Sequence, residues 1–156
     1  KFRTMQQRAD AHSPAITVGA DARITRAGYW LRRTKADELP QLVNVLLGQM
    51  SLVGPRPEVP HYVALYPSDL RELILSVRPG ITDHASIEFR DESTLLGQSS
   101  DPERTYIEEI LPVKLRYAAQ YARSHTLWAD LKIIARTISA LWGYHPSGGR
   151  GPSGSA

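Results

Sequence analysis

The sequence predicts a compact single domain of the α+β class, richer in helix than in strand, and three observations carry that expectation. Apolar residues recur at helical spacing through much of the chain, as in Leu39, Leu42, Val43 and Leu46 and again in Leu70, Leu73, Ile74 and Val77. The runs that suit a strand are short: residues 15–19, 21–25, 51–53 and 85–89. There is no glycine-rich turn between strand and helix and no alternation of long apolar strands with helices, which excludes a doubly wound nucleotide-binding fold.

Taken in order, residues 1–13 are polar and basic with little periodicity, residues 15–19 and 21–25 are candidate β segments, and residues 26–33 form a short helix. Tyr29 and Trp30 belong to packing or to a membrane-facing surface rather than to a ligand contact. The centre of the chain is residues 32–58, RRTKADELPQLVNVLLGQMSLVGPRPE. Its helix ends at Gly48, the residue type that stops helices in the left-handed conformation. At its front lie Asp37 and Glu38; Thr34 with Asp37 fits a loose capping box, and Pro40 is tolerated only in a first turn, where its missing N–H has no partner to lose. Both carboxylates therefore lie at the positive end of a helix. After the short apolar run 51–53, Gly54-Pro55-Arg56-Pro57 fixes the backbone around Arg56 and gives its guanidinium a defined direction.

Residues 60–77 read as two helical pieces divided near Pro67, and Arg78-Pro79-Gly80 repeats the proline-fixed arginine. Residues 85–89 alternate as a half-buried strand would. Asp101-Pro102-Glu103 is a strong helix start, with Asp as cap and Pro in the first turn; that helix is kinked or restarted at Pro112 and runs to about residue 123. Ser124 or Thr126 caps a last helix carrying Leu127, Trp128, Leu131, Ile134, Ile138, Leu141 and Trp142. Its apolar face suits either the core or a membrane interface. Residues 144–156 are a Gly, Ser and Pro tail too poor in apolar groups to order itself, so the domain is residues 1–143.

At 156 residues with 42% hydrophobic and 22% charged side chains, the composition is that of a globular chain. With no cysteine there is neither a disulfide framework nor a thiolate metal site. No run approaches the ~18 apolar residues of a membrane span. The net charge of +3 is unevenly placed: residues 1–36 hold eight Lys or Arg against two Asp, leaving 11 basic and 14 acidic side chains in the remainder. The first quarter is thus the anion-facing part, matching phosphates or an anionic membrane surface; no nucleic-acid recognition motif accompanies it.

An acidic pair beside helix N–H groups, flanked by Arg32, Arg33 and Arg56, is more than a cap requires. Arginine forks bind phosphate bidentately, and a carboxylate in such a field can attack phosphorus. The segments Lys1-Phe2-Arg3-Thr4-Met5, Ile16-Thr17-Val18-Gly19, residues 21–26, Asp37-Glu38-Leu39-Pro40-Gln41-Leu42, residues 50–58 and Val77-Arg78-Pro79-Gly80-Ile81-Thr82 come in the order and spacing of the bacterial sugar transferases. From Lys1 to about Trp142 the chain resembles that family, the monotopic polyprenol-phosphate phosphoglycosyl transferases.

The resemblance implies transfer of a sugar 1-phosphate from a nucleoside diphosphate sugar, a UDP-sugar, to polyprenol (undecaprenyl) phosphate with release of UMP, the initiating step of exopolysaccharide, O-antigen or glycoconjugate assembly. It implies Asp37 as nucleophile, Glu38 as a ligand of Mg²⁺, and Arg32, Arg56, Arg78, Lys1 and Arg3 as phosphate-binding residues. It further implies a membrane-embedded, often re-entrant hydrophobic segment before Lys1, contact with inner-membrane lipid, and a place on the cytoplasmic face of the bacterial inner membrane. The alternative is a non-catalytic homologue that binds lipid phosphate or scaffolds an assembly. Where the family commonly has Thr-Gly-x-Ala-Gln, this chain has Thr82-Asp83-His84-Ala85-Ser86, a departure that bears on sugar recognition. Asp83, His84, Asp91 and Glu92 supply metal-binding residue types, but in no standard ligand spacing.

Overall fold

The computed structural model describes residues 1–6, 16–19 and 21–142. The expected tail at 144–156 and most of the basic arm lie outside them. The described chain is helical with one small sheet: α1 (Arg26–Arg33), α2 (Gln41–Leu46), β1 (Ser51–Val53), α3 (Pro60–Val63), α4 (Ser68–Leu75), β2 (Gly80–Thr82), α5 (His84–Glu88), α6 (Glu92–Gly97), α7 (Pro102–Thr105), α8 (Leu111–Ser124) and α9 (Leu127–Trp142).

The strands pair in parallel, Ser51 opposite Gly80 and Val53 opposite Thr82. The backbones cross so closely at Gly54 and Gly80 that a Cβ on Gly80 would lie 2.1 Å from the Gly54 nitrogen. Only glycine fits there, and this crossing brings the two Arg-Pro segments together. A similar approach occurs at Gly28, where an added Cβ would meet the Thr4 carbonyl oxygen at 2.0 Å. It lets α1 press on residues 1–6, which are further joined to the chain by an antiparallel bridge between Met5 and Ile24. Of the expected β segments near the N-terminus, this isolated bridge is what forms among the described residues.

Residues 85–89 are a correction: 85–88 lie in α5 and Phe89 ends it, so no strand forms there. The Asp83 carboxylate accepts the Ser86 N–H and starts a helix, which five alternating residues cannot outweigh. The helix begun at Asp101 does continue past Pro112, through a wide π turn at Tyr106–Ile110 before α8. Proline has no N–H for the preceding turn, so the backbone register slips there. The Thr34 capping box is a second correction, because Thr34 closes α1 and bonds back to the Trp30 and Leu31 carbonyls. Of the two candidate caps for α9, Thr126 accepts the Ala129 N–H.

The core lies where α3, α4 and α6 meet the π turn and α8, around Tyr62, Ile74, Leu96, Tyr106, Ile110 and Leu115. Elsewhere apolar groups stay in contact with solvent. Leu42, Val43, Leu46 and Leu47 of the α2 segment are exposed, Leu46 to 86%. Leu127, Trp128, Leu131, Ile138 and Leu141 of α9 are exposed as well, while Ile133 is buried. Tyr29 and Trp30 of α1 add to this surface. No helix among the described residues is long and apolar enough to cross a membrane.

Candidate active site

Asp37 and Glu38 occupy a single 3₁₀ turn, Ala36–Glu38, between α1 and α2. The turn is forced by Lys35, which sits at φ 56°, a left-handed conformation uncommon for a residue with a side chain. The reversal ends α1 and tips the next two carboxylates inward. Asp37 is 4% exposed, and its Oδ1 is buried without a hydrogen-bond partner among the described residues. Its carbonyl accepts the Phe2 N–H at 2.8 Å, which brings the N-terminal segment alongside.

Glu38 is held by Arg56, whose Nη2 lies 2.5 Å from Glu38 Oε1. The Arg56 backbone N–H in turn donates to Asp83 Oδ2 at 3.4 Å, while Asp83 Oδ1 caps α5 through the Ser86 N–H and hydroxyl. Asp83 thus ties the Gly-Pro-Arg-Pro turn to the start of α5 and is buried in doing so. Among the described residues no three potential His, Cys, Asp or Glu ligands gather. The metal set at Asp83, His84, Asp91 and Glu92 is therefore not formed.

Two cavities lie close to Glu38, and Asp37 itself lines neither. One, of about 260 Å³, is mainly apolar and runs between α2, β2, α5 and α9 past Leu39, Leu42, Ile81, Ile87 and Leu141. The other, of about 340 Å³, is polar and runs over Pro55, Glu58, Tyr66, Asp83, Glu92 and Lys114. Lys35, Arg56, Ser86 and Arg90 line both cavities, and Glu38 lines the apolar one. Although Lys35 is exposed as a residue, protein crowds water from its ammonium and lowers its pKa, Glu38 opposing and Arg56 adding to that shift. Burial, reinforced by Glu58, pushes the Tyr66 hydroxyl up to about 12.

The phosphate-binding candidates are placed unequally. Arg56 meets Glu38 directly. Arg32 donates from Nε to Thr4 Oγ1 at 2.8 Å and from Nη1 to Thr17 Oγ1 at 3.4 Å; Thr17 lines the polar cavity. Lys1 and Arg3 are exposed beside the segment that bonds Asp37. Arg78 is exposed near the end of α2, its Nη1 4.0 Å from where a Gly48 Cβ would lie, and it lines neither cavity. Lys35, Asp83, Arg90 and Lys114 were not among the predicted site residues. The signal for Lys35 was its place two residues before Asp37; for Asp83 it was the departure from the Thr-Gly pattern.

A family model described as bacterial sugar transferase matches residues 1–143. The chain is 37% identical over 145 residues to a UDP-glucose:undecaprenyl-phosphate glucose-1-phosphate transferase from Caulobacter vibrioides, covering 90% of this chain and 49% of that protein. It is 34% identical over 143 residues to a UDP-N-acetylgalactosamine-undecaprenyl-phosphate N-acetylgalactosaminephosphotransferase from Aeromonas hydrophila, covering 90% and 31%. It is 32% identical over 156 residues to the exopolysaccharide production protein ExoY of Sinorhizobium fredii, covering 90% and 62%. The chain thus spans between about a third and three fifths of the length of these relatives.

Proposed function

The chain belongs to the bacterial sugar transferase family, and on that basis we propose that it transfers a sugar 1-phosphate from a UDP-sugar to polyprenol phosphate, as an enzyme working at the cytoplasmic face of the bacterial inner membrane. The observation that carries this reading is the junction of a polar and an apolar cavity at Lys35, Arg56, Ser86 and Arg90, beside Glu38 of the acidic pair. A reaction between a water-soluble nucleotide sugar and a lipid phosphate needs such a junction. A non-catalytic lipid-phosphate binder has no need of an unpartnered buried carboxylate oxygen, which costs folding free energy.

In the first half-reaction an Asp37 oxygen attacks the β-phosphorus of the donor. An O–P bond forms to Asp37, the bond from that phosphorus to the bridging oxygen breaks, and UMP leaves with the electron pair. Arg56 and Lys35 offset the charge that builds on the phosphoryl oxygens. In the second, the phosphate oxygen of polyprenol phosphate attacks the same phosphorus and Asp37 is released as carboxylate, giving ping-pong kinetics. Glu38, a carboxylate beside the unpartnered Asp37 oxygen, is the residue that would hold Mg²⁺, an ion usually bound by one or two carboxylates. Mg²⁺ bound there would neutralise phosphate charge. Arg56 holds Glu38 in place for it.

The exposed apolar side chains of α1, α2 and α9 support contact with inner-membrane lipid, and the apolar lining of the cavity suits the acceptor's lipid chain. The test is UMP release from a panel of UDP-sugars by the native-length protein in detergent with Mg²⁺ and polyprenol phosphate. Asp37→Asn should abolish it, and mass spectrometry of the parent with donor alone should find a phosphosugar on Asp37. A folded parent that releases UMP from no donor would refute the reading.

A further inference from the structure

The polar cavity carries a second set of charged groups that take no part in this chemistry. They are Glu58, Glu92 and Lys114, with Tyr106 behind them. The buried Tyr106 hydroxyl donates to Glu58 Oε1 at 2.7 Å. Lys114 Nζ lies 3.3 Å from that same oxygen, 3.2 Å from the Tyr106 oxygen and 2.7 Å from Glu92 Oε2. Its ammonium also stands 4.8 Å from the centre of the Tyr106 ring. The three charged side chains are only 19–25% exposed, so they have given up most of their water.

A network of this kind is costly to keep partly buried, and apolar residues of similar volume would hold the same elements together at least as well. Its charge sum, two carboxylates against one ammonium, disfavours a phosphate. The phosphates of a nucleotide sugar are instead drawn to Lys35, Arg56 and Arg90 along the same cavity. The bonds to Tyr106 and Lys114 engage Glu58 Oε1 and Glu92 Oε2, so the second oxygen of each carboxylate offers an acceptor to a ligand hydroxyl. Hydrogen bonds from hydroxyls to ionised carboxylates are among the stronger kind, and Lys114 fixes the distance between the two acceptors.

We propose that Glu58 and Glu92, held apart by Lys114, grip the hydroxyls of the donor's sugar and so select which sugar is transferred; the proposal rests on the transferase reading above. The sugar rather than the nucleoside belongs here, because the sugar phosphate stays on the protein between the half-reactions while UMP must leave. The relatives are named for different sugars, one for glucose and one for N-acetylgalactosamine, as befits a family in which the sugar varies.

The experiment compares Glu92→Gln with the parent, in the native-length detergent-solubilised protein, on UDP-glucose, UDP-galactose, UDP-N-acetylglucosamine and UDP-N-acetylgalactosamine, with UDP as competitive inhibitor. Loss of one charge-assisted bond should change the ratio of kcat/KM between epimeric donors by about tenfold or more, while inhibition by UDP is unchanged. An equal loss on every donor, an equal weakening of UDP, or no change at all would overturn the proposal and leave the transferase reading standing. A parent that releases UMP from no donor would overturn both. If Glu92→Gln lowers the melting temperature, Glu58→Gln, which keeps an acceptor for Tyr106, gives the same comparison in a folded protein.

Discussion

At the scale of single residues, the site depends on two carboxylates held in opposite ways. Asp37 is buried with an oxygen unpartnered, whereas Glu38 is held by one contact from Arg56 Nη2. Arg56→Lys keeps the charge but loses the planar fork, so kcat/KM for UMP release should fall by roughly 10- to 100-fold, as expected for about 1.5–3 kcal/mol of charge-assisted bonding. Asp83→Ala removes the α5 cap together with the acceptor of the Arg56 N–H. It should cost about 1 kcal/mol in a urea melt through the cap alone, with Asp83→Asn recovering most of that. At this scale the acidic pair and Arg56 were legible because their residue types and the proline frame are local. The separation of Arg78 from Arg56 was not, since both lie in similar Arg-Pro segments and only the sheet crossing decides where each side chain points.

At the scale of elements, the glycine crossing between the strands positions everything after it. Gly80→Ala would push a Cβ against the Gly54 backbone, which cannot give way as a flexible side chain could. A loss of roughly 3 kcal/mol or more is expected, read from the urea midpoint, with activity lost in parallel. The long helices were readable from their periodicity and caps: Asp101 and Thr126 start helices as their residue types predict. Residues 85–89 misled because five alternating residues carry no decisive period, and the Asp83 cap wins over the alternation.

At the scale of the whole molecule, a packed core around Tyr62, Leu96 and Tyr106 coexists with exposed apolar side chains on α1, α2 and α9. Replacing Leu46 and Leu47 together by Ser should weaken sedimentation with anionic phospholipid vesicles while leaving the melting temperature nearly unchanged, since both side chains are already exposed. The buried phenols add a pH dependence. Tyr66 has its pKa raised from about 10 to about 12, so the folded state retains a proton that the unfolded chain gives up. That contribution is intact below pH 10 and is lost as the pH rises toward about 12. Tyr106, raised in the same direction by burial and by Glu58, extends the loss to higher pH. Equilibrium unfolding followed across this alkaline range should show stability declining, and Tyr66→Phe should make the decline shallower.

The periods of the long helices, the caps at Asp101 and Thr126, the acidic pair and the proline frame of Arg56 were written in the order of the residues, because each depends on neighbours within a few positions. Packing settled that α2 and α9 turn apolar faces outward, that the Asp83 carboxylate serves a turn and a helix start at once, and that Glu58, Glu92 and Lys114 meet. Those outcomes depend on which distant surfaces are brought together. Periodicity shows that a helix has an apolar face, but only the folded chain shows whether protein covers it.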